Sequence, residues 1–146
     1  MDFKVKNFQE LTTSELYEIL QLRSEVFVVE QDCVYQDIDF KDQKALHVLG
    51  LKDDKIIAYT RLFDSKQYFD TPSIGRVIVK DIERKFGYGH DLIKVSIQAI
   101  VNNYEERIIT ISAQTYLQKF YESHGFKQVG EGYLEDGIPH IKMVKT

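Results

Sequence analysis

The order of periodic segments predicts a mixed α/β (α+β) fold, a sheet flanked by helices. Three observations carry this expectation. Two stretches, one near residues 14–25 and one after Gly89, repeat their apolar residues at helical spacing. Several alternating or β-branched runs are joined by turns as short as Lys52-Asp53-Asp54 and Glu135-Asp136-Gly137. Finally, the apolar run 74–79 passes through a basic turn with two glycines straight into the second helical stretch.

The elements follow in order. Residues 3–8 alternate Phe3 and Val5 with Lys4 and Lys6, which predicts a first strand. Thr12-Thr13-Ser14-Glu15 offers a capping box, with Thr12 facing the Glu15 amide. Leu16, Ile19, Leu20, Arg23 and Phe27 then predict a helix over about residues 14–25, with a bend near Val28-Val29. Residues 31–44 lack a consistent period and are rich in aspartate, so they read as a long surface segment. Runs 46–51 and 55–63 flank a turn and form a hairpin, and a loop with Pro72 leads to the strand 74–79. After the glycine turn, Leu92, Ile93, Ile97, Ile100, Val101 and Tyr104 give a helix with a broad apolar face. Run 107–113 reads as a central strand, 117–124 as a short helix stopped by Gly125, and 129–133 with 138–144 as a closing hairpin.

The 146 residues suit one domain spanning 1–146, able to bury a core without metals or disulfides. A net charge of −4 argues against a general nucleic-acid binder. Apolar runs fall short of the roughly 18 residues of a membrane span, and Met1-Asp2-Phe3-Lys4 opens no secretory signal. Cys33 is the single cysteine, which fits a reducing cytoplasm and hence a cytoplasmic location. The four histidines, at 47, 90, 124 and 140, lack the paired spacings of zinc sites, so no metal is expected.

The turn between strand and helix reads as an anion site. The first amides of a helix lack intrahelical partners, and its N-terminus carries roughly half a positive charge. Gly87 and Gly89 allow a phosphate close to the backbone, while Arg84 and Lys85 add full charges. A Walker loop would need Lys-Ser/Thr where His90-Asp91 stands, and a dinucleotide fingerprint would need a third glycine.

Val79, Arg84, Gly87 and Gly89 keep register with the pattern Val-x-Pro-x-x-Arg-Gly-x-Gly-x-Gly. That loop resembles the pyrophosphate loop of the GNAT superfamily of N-acetyltransferases. Asp81 stands for the usual proline and Lys85 for the first glycine. Phe120-Tyr121, followed after three residues by Gly125-Phe126, is similar to a second motif of that family. The blocks Leu20–Asp39, Gly75–Val79 and Glu135–His140 resemble the ElaA group within it.

The resemblance implies the GNAT fold: a mixed, mostly antiparallel sheet whose central strands four and five splay apart around an acyl-pantetheine arm. It implies acetyl-CoA (coenzyme A) as acyl donor, and transfer of an acetyl group to a primary amine by direct attack in a ternary complex. A catalytically silent CoA-binding sensor or interaction module is the alternative. The coenzyme would be held by Val77, Ile78 and Val79, by Arg84, Lys85, Phe86, Gly87, Tyr88, Gly89 and His90, and by Gln114 and Phe120. Tyr121 would serve the departing sulfur, because a phenol lowers the cost of a leaving thiolate.

An amine attacks only when neutral, so a base is needed; Glu30 and His47 are the candidates. Cys33 has no histidine at a readable offset and reads as an incidental thiol. On the acceptor side stand Arg23, Phe27, Arg76 and His140. Arg23 and Arg76 lie on apolar elements and need carboxylate partners, for which Glu30, Asp37 and Asp39 are available. They read either as a structural ion-pair network or as a grip on an acceptor carboxylate. The acidic residues 32–42 are either a solvated loop or an attraction for a cationic amine. The acceptor is a small-molecule or peptide amine, with neither nucleic acid nor membrane as partner, and a homodimer is compatible with these features.

Overall fold

A computed structural model describes residues 1–146. Seven strands form one sheet in the order β1-β2-β3-β4-β5-β7-β6. They are β1 (Asp2–Asn7), β2 (Leu46–Lys52), β3 (Lys55–Phe63), β4 (Ser73–Val79), β5 (Ile109–Gln114), β6 (Phe126–Glu135) and β7 (Ile138–Lys145). The helices are α1 (Thr13–Arg23), α2 (Tyr88–Tyr104) and α3 (Gln118–Glu122). Each neighbouring pair of strands is antiparallel except β4 and β5.

Strand alternation divides the core in two. Val48 and Ala58 belong to one apolar cluster, while their chain neighbours Leu49 and Tyr59 belong to the other. Successive side chains of a strand point to opposite faces, so the clusters lie on opposite sides of the sheet. Leu92, Ile93 and Ile100 of α2 and Tyr121 of α3 complete the first, and Ile19 and Leu22 of α1 the second. Each such fully buried Leu or Ile contributes about 2 kcal/mol.

The expected capping box is present: Thr12 Oγ1 accepts from the Glu15 amide at 3.0 Å, and the Glu15 carboxylate accepts from the Thr12 amide at 2.9 Å. The expected bend near Val28-Val29 is instead a wider, π-helical segment over Ser24–Glu30. Its altered winding re-aims the chain, so that Arg23 stays buried while Phe27 and Glu30 reach the central cleft.

β4 carries one extra residue. Between the pairs Arg61↔Gly75 and Tyr59↔Ile78, β3 advances two positions and β4 three. The bulge falls at Arg76, whose φ of 50° is unusual for a residue with a Cβ. It also inverts the alternation: Ile74 packs in the α2 cluster, whereas Ile78 packs in the α1 cluster. β4 and β5 then meet at a single register pair, Ser73↔Thr110. Beyond it they splay, and the edge of β4 that faces β5 has no strand partner.

The segment 31–44 departs from a plain surface loop, because Asp37 and Asp42 are each only 6% exposed. Three guanidinium groups, from α1, β3 and β4, draw its carboxylates inward. Asp37 accepts from Arg23 Nε at 3.0 Å and from Arg76 Nε at 2.8 Å. Asp42 accepts from Arg23 Nη1 at 2.7 Å and Arg61 Nη1 at 2.9 Å, and Asp39 binds both Arg61 Nη atoms at 2.8 Å. Burial alone would raise the Asp39 carboxyl, but Arg61 and Arg76 override it and hold it at about 2. Asp42 is likewise opposed by burial and held below its usual range by Arg23 and Arg61.

Candidate functional site

The splay opens into a cleft of ≈ 520 Å³. β4 supplies Val77, Ile78 and Val79 to one wall, and β5 supplies Ile111, Ser112 and Gln114 to the other. The π-helical segment adds Phe27 and Glu30, α3 adds Phe120 and Tyr121, and the β6–β7 hairpin adds Glu135, Asp136, Ile138 and His140. Arg84, Gly87, Gly89 and His90 line the mouth at the start of α2.

The turn before α2 is a short 3₁₀ helix, Asp81–Phe86, followed by Gly87 at φ 73°. That left-handed conformation is why glycine stands there. Nothing lies within 4 Å of where a Cβ at Gly87 would sit, so the space above the backbone is open. At Gly89 an added Cβ would press on the Phe120 ring at 3.4 Å, so the missing side chain also admits α3. Arg84 is folded back on this turn, with Nε donating to the Val79 carbonyl at 2.9 Å and Nη1 lying 2.7 Å from Glu30 Oε2. His90 Nδ1 lies 2.9 Å from His124 Nε2, and the His90 ring rests on Phe120.

Tyr121 is 5% exposed, and its phenol faces the cleft without a partner from the chain. Burial pushes its ionisation well above the ordinary phenol range, so the group carries its proton at any physiological pH.

Several expected residues lie elsewhere. His47 is sealed in the α1 side of the sheet, fully buried, with Nδ1 2.6 Å from the Tyr59 hydroxyl and Nε2 2.9 Å from the Asp42 carbonyl. A carbonyl only accepts, so Nε2 carries the proton and Nδ1 accepts from Tyr59. Burial pushes its pKa down, so His47 is a neutral core histidine that does not reach the cleft, which corrects its expected place as a base. Arg23 is also fully buried, and its contacts with Asp37 and Asp42 correct its expected place on the acceptor side. Lys85, Phe86 and Tyr88 lie outside the cleft lining; Lys85 and Phe86 are exposed, and Phe86 packs against Tyr88 under Lys52. Arg76 does line the cleft, although Asp37 already engages its Nε. Glu30, expected near Arg23 and Arg76, pairs with Arg84 instead.

Sequence reasoning assigned no site role to Ser112, Glu135 or Tyr35 and read Cys33 as an incidental thiol, yet all four line the cleft. Only topology brings β5, the β6–β7 hairpin and residues 31–35 to one opening. The hairpin turn and Cys33 even touch, through a Cys33 Sγ contact of 3.3 Å to the Asp136 carbonyl.

The comparisons agree with this geometry. Residues 9–146 match the family model described as an acetyltransferase (GNAT) domain. Protein ElaA of Escherichia coli K12 is 44% identical over 138 residues, which cover 93% of this chain and 90% of ElaA. The crystal structure of an acyl-CoA N-acyltransferase from Pseudomonas aeruginosa superposes with a TM-score of 0.94 at 40% identity, covering all of both chains. The crystal structure of Escherichia coli ElaA does so with a TM-score of 0.91 at 38% identity, again over all of both chains. Splayed central strands, the glycine turn and these similarities together establish that the chain belongs to the GNAT acyltransferase family, within its ElaA group.

Proposed function

We propose that the protein is an N-acyltransferase that moves an acetyl group from acetyl-CoA to a primary amine by direct attack. The observation that carries this reading is the splay beyond Ser73↔Thr110, which leaves the β4 edge unpaired above a cleft with the partnerless Tyr121 phenol. Acyl-CoA is a substrate here, and the residues present suit it. The edge of β4 at Val77–Val79 that has no strand partner offers a pantetheine arm the place of an added strand. The amides that follow Gly87, with Arg84 beside them, offer donors to a pyrophosphate.

Tyr121 keeps its proton, because burial raises its pKa, and donates a hydrogen bond to the sulfur as thiolate charge develops there. The apolar lining from Phe27, Ile111 and Phe120 limits water at the thioester, which disfavours hydrolysis.

Thiol release from acetyl-CoA in the presence of a panel of primary amines tests the reading. Amine-dependent release is expected. Coenzyme binding without release under any amine would favour the silent CoA-binding module instead.

A further inference from the structure

At the open end of the splay, β7 presents His140 opposite Gln114 of β5 and Tyr133 of β6. The imidazole is held in one orientation. Its Nδ1 lies 2.7 Å from the Ile138 carbonyl, and its ring stacks on Tyr133 at an interplanar angle of 21°. A carbonyl oxygen can only accept, so Nδ1 bears the proton of the neutral ring and Nε2 keeps its lone pair. That lone pair stands 3.3 Å from Glu135 Oε2. The other Glu135 oxygen accepts from Ser112 Oγ at 3.3 Å, and Ser112 also bonds the Tyr133 hydroxyl.

Two acceptors 3.3 Å apart at the cleft wall repel, and the pair is relieved by a proton on Nε2 or by a donor in the cleft that reaches both atoms. Resting on the acyltransferase reading above, we propose that this dyad is the seat of the acceptor amine. Glu135 holds the incoming alkylammonium, and His140 Nε2 takes its proton as general base. Glu30 is the poorer base because Arg84 already occupies its carboxylate at 2.7 Å. His47 has no access to the cleft.

The step balances as follows. The ammonium gives one proton to Nε2, which passes it to solvent. The freed amine forms a C–N bond to the thioester carbonyl carbon, the C–S bond breaks, and the second N–H proton leaves through Nε2. The departing thiolate, steadied by the Tyr121 hydroxyl, takes one proton from solvent, so each turnover of an alkylammonium releases one proton. The ionisable groups that face His140 are Glu135 and Tyr133 from β6. Asp136 follows in the same hairpin turn, and Arg76 of β4 and Tyr35 line the cleft from other elements.

The test uses the full chain as wild type, H140Q and E135Q, with acetyl-CoA and the amines n-propylamine, putrescine and a lysine peptide. H140Q should lose about a hundredfold or more in kcat, with the KM for acetyl-CoA unchanged. E135Q should raise the amine KM, with the KM for acetyl-CoA unchanged. Unchanged turnover in H140Q, with coenzyme binding intact, overturns the dyad and leaves the acyltransferase reading standing. A wild type that fails to bind acetyl-CoA overturns both. Should none of these amines be turned over, ¹⁵N spectra of the imidazole decide the matter. A neutral ring protonated on Nδ1, whose Nε2 signal shifts when n-propylamine is added, supports the dyad. The opposite tautomer, or an Nε2 signal that ignores the amine, overturns it.

Discussion

On the proposed reading, Tyr121 and Gly87 concentrate the chemistry at the scale of single residues. Replacing Tyr121 by Phe removes one oxygen from a side chain packed by Phe120 and Phe126, so the cleft keeps its shape. Turnover is expected to fall about a hundredfold with little change in acetyl-CoA affinity, as read by thiol release and equilibrium binding. Equal turnover would remove the phenol from the mechanism. At Gly87 the φ of 73° strains any β-branched residue, and the added methyls fill the open space above the backbone. G87V should weaken acetyl-CoA binding by more than about tenfold, with unchanged affinity as the contrary result. Both residues were legible in the sequence because each sits in a short local pattern. His47 was not, since nothing within a few residues of it signals the hydroxyl of Tyr59 on the next strand. An isolated histidine on a strand reads the same whether it ends in a core or a cleft.

Among the elements, the hairpins and the long helix α2 were legible because turn chemistry and apolar period are local. Lys52-Asp53-Asp54 even foretells its turn, with Asp53 and Asp54 at φ 52° and 62°. The two irregular elements that shape the site were not. Gly75 hints at a bulge, yet nothing local assigns the positive φ to Arg76 beside it, and the π-helical segment continues an ordinary helical pattern through valines. Both are sustained by partners distant in sequence, as Arg76 is by Asp37, 39 positions away. The aspartates of residues 31–44 likewise read as a solvated run until the buried Arg23 and Arg61 and the half-buried Arg76 claim them. Asp42 ties Arg23 to Arg61, so D42N should cost about 3 kcal/mol of unfolding free energy, measured by denaturant titration. A loss below about 0.5 kcal/mol, the range of ordinary surface changes, would mean the network carries little of the fold.

Across the whole molecule, acid should act in two stages. Native His47 is held neutral by burial, with its pKa depressed. Once the pH drops below about 6.5 the unfolded chain takes up a proton that the native chain refuses, so stability declines. The second stage belongs to Asp39 and Asp42, whose native pKa values are also lowered. Their contribution is complete above about pH 4 and is lost as the pH falls toward the Asp39 value of about 2. Unfolding free energies measured by denaturant from pH 7 to pH 3 should fall throughout, and a flat profile between pH 7 and 5 would contradict the role given to His47.

The same whole-molecule scale holds the central claim, that the splayed cleft takes an acyl-CoA. Thermal unfolding with and without acetyl-CoA addresses it most directly. At about a hundred times its Kd the donor should stabilise the native chain by roughly 2.7 kcal/mol, and adenosine triphosphate at the same concentration much less. Stabilisation by adenosine triphosphate alone, with acetyl-CoA inert, would contradict it.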